Sequence, residues 1–181
     1  MDHSKILFLD VEASSLSNQS YPIEIAWGST EFGIEEYLIK RYPDWDDWNW
    51  RSEGIHMISK QDLHRFGKDG RIVADRLFDL KKQGYSFAAT SHYDSFWMNR
   101  LMSRFYTSMQ VVGCRDFNTI IYDLFPTTHP VSDSIMFNMQ SEFERIYAEA
   151  KAKCPVTHRA AADVKHMIEM YTIAGERWGK F

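Results

Sequence analysis

Apolar residues at 6–9 (ILFL) form an unbroken run, and the segment 5–11 around them reads as a buried β-strand. A Ser/Asn/Gln-rich turn follows. PIEIAWG (22–28) then predicts a second strand and EEYLIKRY (35–42) a third, with connections short enough for antiparallel pairing. PDWDDWNWRSEG (43–54) carries Pro, Gly and three tryptophans and reads as an irregular excursion. A short helix is expected around 59–65, with Ser59 as its cap, and a longer one over 72–84, where Ile72, Leu77 and Leu80 keep helical spacing up to Gly84. From 86 onward strand and helix patterns alternate: strand 86–91, helix 94–106, strand 111–114, helix 117–125, a loop over 126–133, and a helix over 134–153. The last helix is expected over 158–175, after the break at Pro155 and closed by Gly175. Three antiparallel strands followed by β-α-β-α predict an α/β fold whose five-stranded sheet is mixed and flanked by helices.

Composition narrows this picture. The 181 residues suit one domain over 1–181. At 44% hydrophobic and 25% charged, the chain has the balance of an ordinary globular protein. Its net charge of −4 argues against a protein that coats duplex nucleic acid through phosphate contacts alone. An acidic chain can still act on nucleic acid when bound cations bridge its carboxylates to phosphate. Cys114 and Cys154 have no CxxC spacing, the apolar part of MDHSKILFLD is too short for a signal peptide, and no run approaches membrane-spanning length. A reducing, cytoplasmic location without membrane contact is the expectation.

The chemistry is concentrated where the first strand ends. Side chains alternate faces along a strand, so Asp10 and Glu12 point the same way from neighbouring rungs. Two carboxylates so placed stay ionised only beside positive charge, and a divalent cation with oxygen preference suits them; a solvated strand end is the simpler alternative. Asp94 stands at a strand-to-helix junction, where it can cap the helix, face the ligand crevice of an α/β sheet, or both. Near the last helix, HRAAAD brings His158 and Asp163 with three alanines between that let the helix lie close to its neighbour. With Thr157 as cap, His158 would occupy the first helical position, where the macrodipole favours neutral imidazole. Five residues turn about 140° around a helix, so His158 and Asp163 would not share one face. With seven histidines in the chain, an H-x4-D pair also arises readily by chance; His64 and Asp69 make another.

The order of these residues is more telling than any one of them. D-x-E at a first-strand end, an Asp opening a middle helix and H-x4-D near a C-terminal helix together resemble the DEDDh family of 3′–5′ exonucleases, which includes DnaQ-like and ribonuclease T-like enzymes. FLDVEASSL is similar to the family's first motif, usually FxDxExTGL. YPIEIAWG is similar to the strand that follows it, GIHMISKQDL to the HGIT-type segment, YDSFWMNRLM to the second motif, and His158 with Asp163 to the third. Ser14 and Ser15 stand where Thr and Gly are usual, and Thr90 where many members have Asn.

The resemblance implies a ribonuclease H-like fold, a single exonuclease domain, and two divalent ions, Mg²⁺ or Mn²⁺, on Asp10, Glu12, Asp94 and Asp163, with Asp10 bridging both. It further implies that His158 acts as general base, that Ala13, Ser14, Ser15 and Leu16 meet the terminal nucleotide, and that the partners are the 3′ ends of single-stranded DNA or RNA, cleaved to nucleoside 5′-monophosphates. Some relatives are homodimers. Trp45, Trp48 and Trp50 can either stack unpaired bases or pin their loop to the domain, and Arg100, Arg104, Arg159 and Lys165 are either phosphate contacts or solvated helix faces. Trp97 is expected in the core. Two other readings compete: a nucleic-acid-binding or polymerase-associated module that keeps the fold without catalysis, and a zinc hydrolase using Cys154, His158 and His166.

Overall fold

The run at 6–9 does form a strand, β1 (Ile6–Ala13), and every other element is arranged around it. The structure is a computed structural model that describes residues 5–107, 113–126 and 133–180, with backbone alone over 133–137. Among the described residues β1 pairs antiparallel with β2 (Pro22–Ser29), and β2 pairs antiparallel with β3 (Gly33–Leu38). On its other side β1 runs parallel to β4 (Ser86–Ala89), which runs parallel to β5 (Cys114–Asp116). The strand order is therefore β3-β2-β1-β4-β5, the mixed five-stranded sheet expected from the alternating pattern.

The period-2 alternation of β1 divides the core in two. Leu7, Leu9 and Val11 face one layer with Ile23, Ile25 and Trp27 of β2, packed by α3 (Gly70–Lys82) and α4 (His92–Met102). Ile6 and Phe8 face the other, against α5 (Phe117–Leu124), α6 (Asp133–Lys153) and α7 (Ala160–Arg177). Asp10 and Glu12 continue the row of Ile6 and Phe8, so the strand's own periodicity turns both carboxylates toward α7.

Several boundaries differ from expectation, each for a local reason. The Trp-rich excursion contains a helix, α1 (Trp50–His56), started by Asn49, whose side chain accepts from the Arg51 N–H. α2 (Lys60–Phe66) begins at Ser59 as expected, in a reciprocal capping box with Asp62. β3 is shifted: the chain leaves the sheet after Leu38, where Ile39 bridges to Lys68. β4 ends before Ser91, which caps α4, so that helix starts at His92 rather than 94 and stops at Met102. Of the strand expected at 111–114, residues 111–112 lie outside the described residues and β5 covers Cys114–Asp116. The loop expected at 126–133 falls mostly on residues 127–132, which also lie outside them.

The last helix carries two corrections. It starts at Ala160, so His158 is not its first residue and Thr157 is not its cap. Gly175 does not close it either: α7 runs on to Arg177 because its buried face continues through Ile173 and Ala174, and Gly179 takes the left-handed conformation at the end (φ +64°). Among the described residues no helix is long and apolar enough to cross a membrane.

Gly28 closes the β2–β3 pairing tightly. A Cβ there would lie 2.3 Å from the Gly33 carbonyl oxygen. Gly28→Ala is expected to cost about 1–3 kcal/mol, measured as a lower urea midpoint with an unchanged slope.

Candidate active site

The sheet opens where the acids sit. β4 pairs with β1 only as far as Phe8, so beyond that point β1 has no strand partner on the β4 side among the described residues. The N-terminus of α4 fills the gap. Asp94, at 3% exposure, accepts from the Val11 N–H through Oδ1 (3.2 Å) and from the Ser91 N–H through Oδ2 (3.1 Å). One carboxylate thus completes the capping box of α4 and clips that helix to β1 between Asp10 and Glu12. The capping role expected of it is therefore observed.

Asp163 arrives from the other layer. Its Oδ1 accepts from the Thr157 N–H (3.0 Å), folding residues 157–159 back over the first turn of α7. His158 adopts φ +54° in this fold-back, a conformation that a non-glycine residue keeps only where its surroundings impose it. The consequence removes the difficulty of the helical spacing. Lying before the helix, His158 is free of its 100° steps, and ligand atoms of Glu12, His158 and Asp163 all lie within 4.8 Å of one another.

The four acids are raised together, chiefly by burial. Burial pushes the Asp10 carboxyl well above its ordinary range, and Asp94, Glu12, Asp163 and Glu24 push it further. Glu12 is raised to about 7 by burial and then by Asp163, Glu24 and Asp94, with Arg159 opposing. Asp94 is raised to about 7, mainly by burial, although its two amide donors hold it down. Burial also raises Asp163, against the Thr157 amide, His158 and His166. Glu12, Asp94 and Asp163 each make another acid of the set harder to ionise, and Arg159, which opposes the shift at Glu12, is engaged by Glu24. An all-carboxylate set with one imidazole at its edge is a donor set for a hard divalent cation, so the residues fit Mg²⁺ or Mn²⁺.

Two clefts flank the acids. One, of about 200 Å³, is lined by Glu12, Ser15, Leu16, Ile55, His56, Trp97 and His158 among others. The other, of about 280 Å³, is lined by Asp10, Asp163, Thr90, Asn118, Tyr147 and His166 among others. In the first, Leu16 stands out at 69% exposure while Ala13, Ser14 and Ser15 are buried. Ser14 is held by Tyr21 on both sides, its N–H donating to the Tyr21 carbonyl (3.0 Å) and its Oγ accepting from the Tyr21 N–H (3.1 Å). The Ser15 hydroxyl donates to Asp47 and accepts from the Ser17 N–H.

The remaining candidates separate. Trp45 is buried and stacked on Tyr21, Trp48 donates to Glu53 (2.7 Å), and Trp50 is 74% exposed. Trp97 is core, donating to the Ser20 hydroxyl. Arg104 forms a paired contact with Asp44, Arg159 is held by Glu24, and Arg100 donates to the Asn18 carbonyl; Lys165 is exposed. The zinc trio is not assembled: His166 meets the Cys154 carbonyl (2.9 Å) rather than its thiol, and the ligand cluster that includes His158 holds Glu12 and Asp163 instead. His64 is exposed on α2 and Asp69 caps α3. Sequence reasoning assigned no role to Glu24 or to the α1 wall of Ile55 and His56. A lone acid in the otherwise apolar PIEIAWG was the available signal for Glu24.

No protein-family model matches the chain, and no curated protein does. Solved structures do. Escherichia coli exonuclease I in complex with a dT13 oligonucleotide superposes with a TM-score of 0.64 at 19% identity, over 97% of this chain and 42% of that one. Schizosaccharomyces pombe Pop2p, in its Mg²⁺- and Mn²⁺-bound form, gives 0.64 at 10% identity, over 96% and 83%. A 3′-exonuclease that recognises the 3′ end of a histone mRNA stem-loop gives 0.61 at 10% identity, over 94% and 63%. The fold is ribonuclease H-like. The chain spans less than two thirds of exonuclease I and of the stem-loop exonuclease, and the ribonuclease H-like fold is what it shares with them.

The raised carboxyls give this site a pH signature. Unfolded, Glu12 and Asp94 titrate near 4.5 and 3.8; folded, near about 7. The folded state holds these protons more tightly, so the associated stability is full below the unfolded values and is lost as pH rises through about 7. Metal-free protein should therefore melt lower at pH 8 than at pH 5.5. Mg²⁺ or Mn²⁺ at about 100 times its Kd should add about 2.7 kcal/mol, or about 5–10 °C for a chain of this size, with the larger gain at pH 8. Melting curves in chelator and in metal at both pH values check this, and four equal midpoints would contradict it.

Proposed function

We propose that the chain is a metal-dependent 3′–5′ exonuclease that hydrolyses single-stranded DNA or RNA from its 3′ end and releases nucleoside 5′-monophosphates, residues 1–181 acting as a single exonuclease domain. The observation that carries this reading is the cluster of Glu12, His158 and Asp163, whose ligand atoms lie within 4.8 Å of one another beside the Leu16 cleft, with Asp10 and Asp94 electrostatically coupled to it. The neighbours support it, since exonuclease I was solved with an oligonucleotide and Pop2p with Mg²⁺ and Mn²⁺.

In this reading the four carboxylates hold two divalent ions, which when bound neutralise charge on the phosphoryl oxygens and make the attacking water easier to deprotonate. The chain's own groups do the rest. His158, held outside α7 by its backbone conformation, accepts the proton of that water. Leu16, projecting beside Ala13, Ser14 and Ser15, meets the terminal base and sugar and orients the last phosphodiester toward Glu12. Ile55 and His56 of α1 line the same cleft. Low pH acts on the acids, because protonated carboxylates release cations.

Incubation with 5′-labelled single-stranded DNA and RNA, in Mg²⁺, Mn²⁺ or chelator, tests the reading. Labelled products shortening from the 3′ end only in metal are expected; degradation unchanged by chelator would overturn it. His158→Ala should lower kcat by about 10²–10⁴ while oligonucleotide affinity, read by fluorescence anisotropy, changes little. Full turnover in that variant would remove His158 as the base.

A further inference from the structure

Glu24 is 2% exposed, on the strand beside β1 and directly opposite Glu12 in register. A buried carboxylate at this place adds repulsion, as its effect on Asp10 and Glu12 shows. Its contacts account for its presence. Arg159 grips it with Nε to both oxygens (3.2 and 3.1 Å) and Nη2 to Oε1 (2.6 Å), and its Oε2 accepts the Ala160 N–H (2.8 Å).

That last contact is the informative one. Arg159 occupies the N-cap of α7 and no side chain of the helix's own caps it. Helix starts otherwise leave amides unsatisfied. Here the cap comes from β2, 136 positions away in the chain, and its negative charge suits the positive end of the helix. The clamp lies on the two residues that follow His158 and on the first turn that carries Asp163.

We infer that Glu24 is a positioning residue of the site: by capping α7 and clamping Arg159 it sets His158 and Asp163 against Glu12. This rests on the exonuclease reading above, because it presumes that the cluster being aligned holds metal and acts on a phosphodiester.

Two variants and one combination test it. Glu24→Ala should weaken Mn²⁺ binding, read by calorimetry without nucleic acid, by about 10–100-fold. It should lower kcat on a single-stranded oligonucleotide by a similar factor, with KM changed by less than about threefold. Glu24→Gln keeps an acceptor for the Ala160 amide and should fall between wild type and Glu24→Ala; if Glu24→Ala does not fold, Glu24→Gln decides by the same measurements. At Mn²⁺ concentrations that saturate every variant, the Glu24 change added to His158→Ala should lower kcat by less than it does in the wild-type background, since residues acting through one another are not additive. A Glu24 variant with wild-type Mn²⁺ affinity and kcat, or a double variant whose loss is the product of the singles, would overturn the positioning role. In that case an active wild type leaves the exonuclease reading standing. A wild type that binds no Mn²⁺ and shortens no oligonucleotide would bring down that reading, and this inference with it.

Discussion

Repulsion among buried carboxylates at the end of β1 is the constraint that the surrounding architecture answers. Asp10 and Glu12 face α7 because Ile6 and Phe8 do, and the alternation of a strand leaves them no other side. The folded chain then assembles compensation from groups that cost no extra charge. The N-termini of α4 and α7 both point at the acids, and each contributes the positive end of its macrodipole. Backbone amides of Val11, Ser91 and Thr157 donate to Asp94 and Asp163. Arg159 is the charged contribution, and Glu24 absorbs much of it. What remains is a negative hollow whose deficit a divalent cation matches. Arrangements of this kind weaken a fold when empty and are characteristic of functional sites.

The early termination of β4 belongs to the same answer. Had β4 continued beside β1, its ladder would have taken the Val11 N–H and closed the crevice. Because the strand stops at Ala89 and Ser91 turns the chain into α4, that amide is left to Asp94. One hydrogen bond therefore ties the sheet's opening, the start of α4 and the depth of the acidic hollow together.

How much of this could be read from the sequence depended on range. The sheet was legible because its signal is local: an apolar run for β1, short connections for the antiparallel strands, and alternation of strand and helix thereafter. Asp10, Glu12, Asp94 and Asp163 were legible as an ordered set, each next to a recognisable element boundary. His158 was legible as a residue but not as a geometry. Helix-start rules favour Thr157 as cap, whereas the observed cap is a tertiary contact from Glu24 that moves the first helical residue to Ala160. α1 was hidden because Pro43, Gly54 and three tryptophans outweigh a seven-residue helix in any local count, although Asn49 starts it in the ordinary way.

The Trp-rich segment makes sense as the brace of the Leu16 loop. Trp45 stacks on Tyr21 at 4.9 Å, and Tyr21 in turn pairs through its backbone with Ser14. The Asn49 N–H donates to the Ser14 carbonyl (2.9 Å), and Asp47 takes the Ser15 hydroxyl. Loop 13–16 is thus held from below by an aromatic stack and from the side by the chain that leads into α1. This bears on Ser14 and Ser15, which stand where the motif that FLDVEASSL resembles usually has Thr and Gly. Glycine lets a backbone approach closely at no steric cost but leaves it loose. Here both serine hydroxyls are engaged in hydrogen bonds that tether the loop, so rigidity replaces freedom at the same place. The cost of that solution is an aromatic-rich buttress with Trp50 left over at its solvent edge, which explains why so much tryptophan is gathered in a stretch that supplies none of the carboxylates.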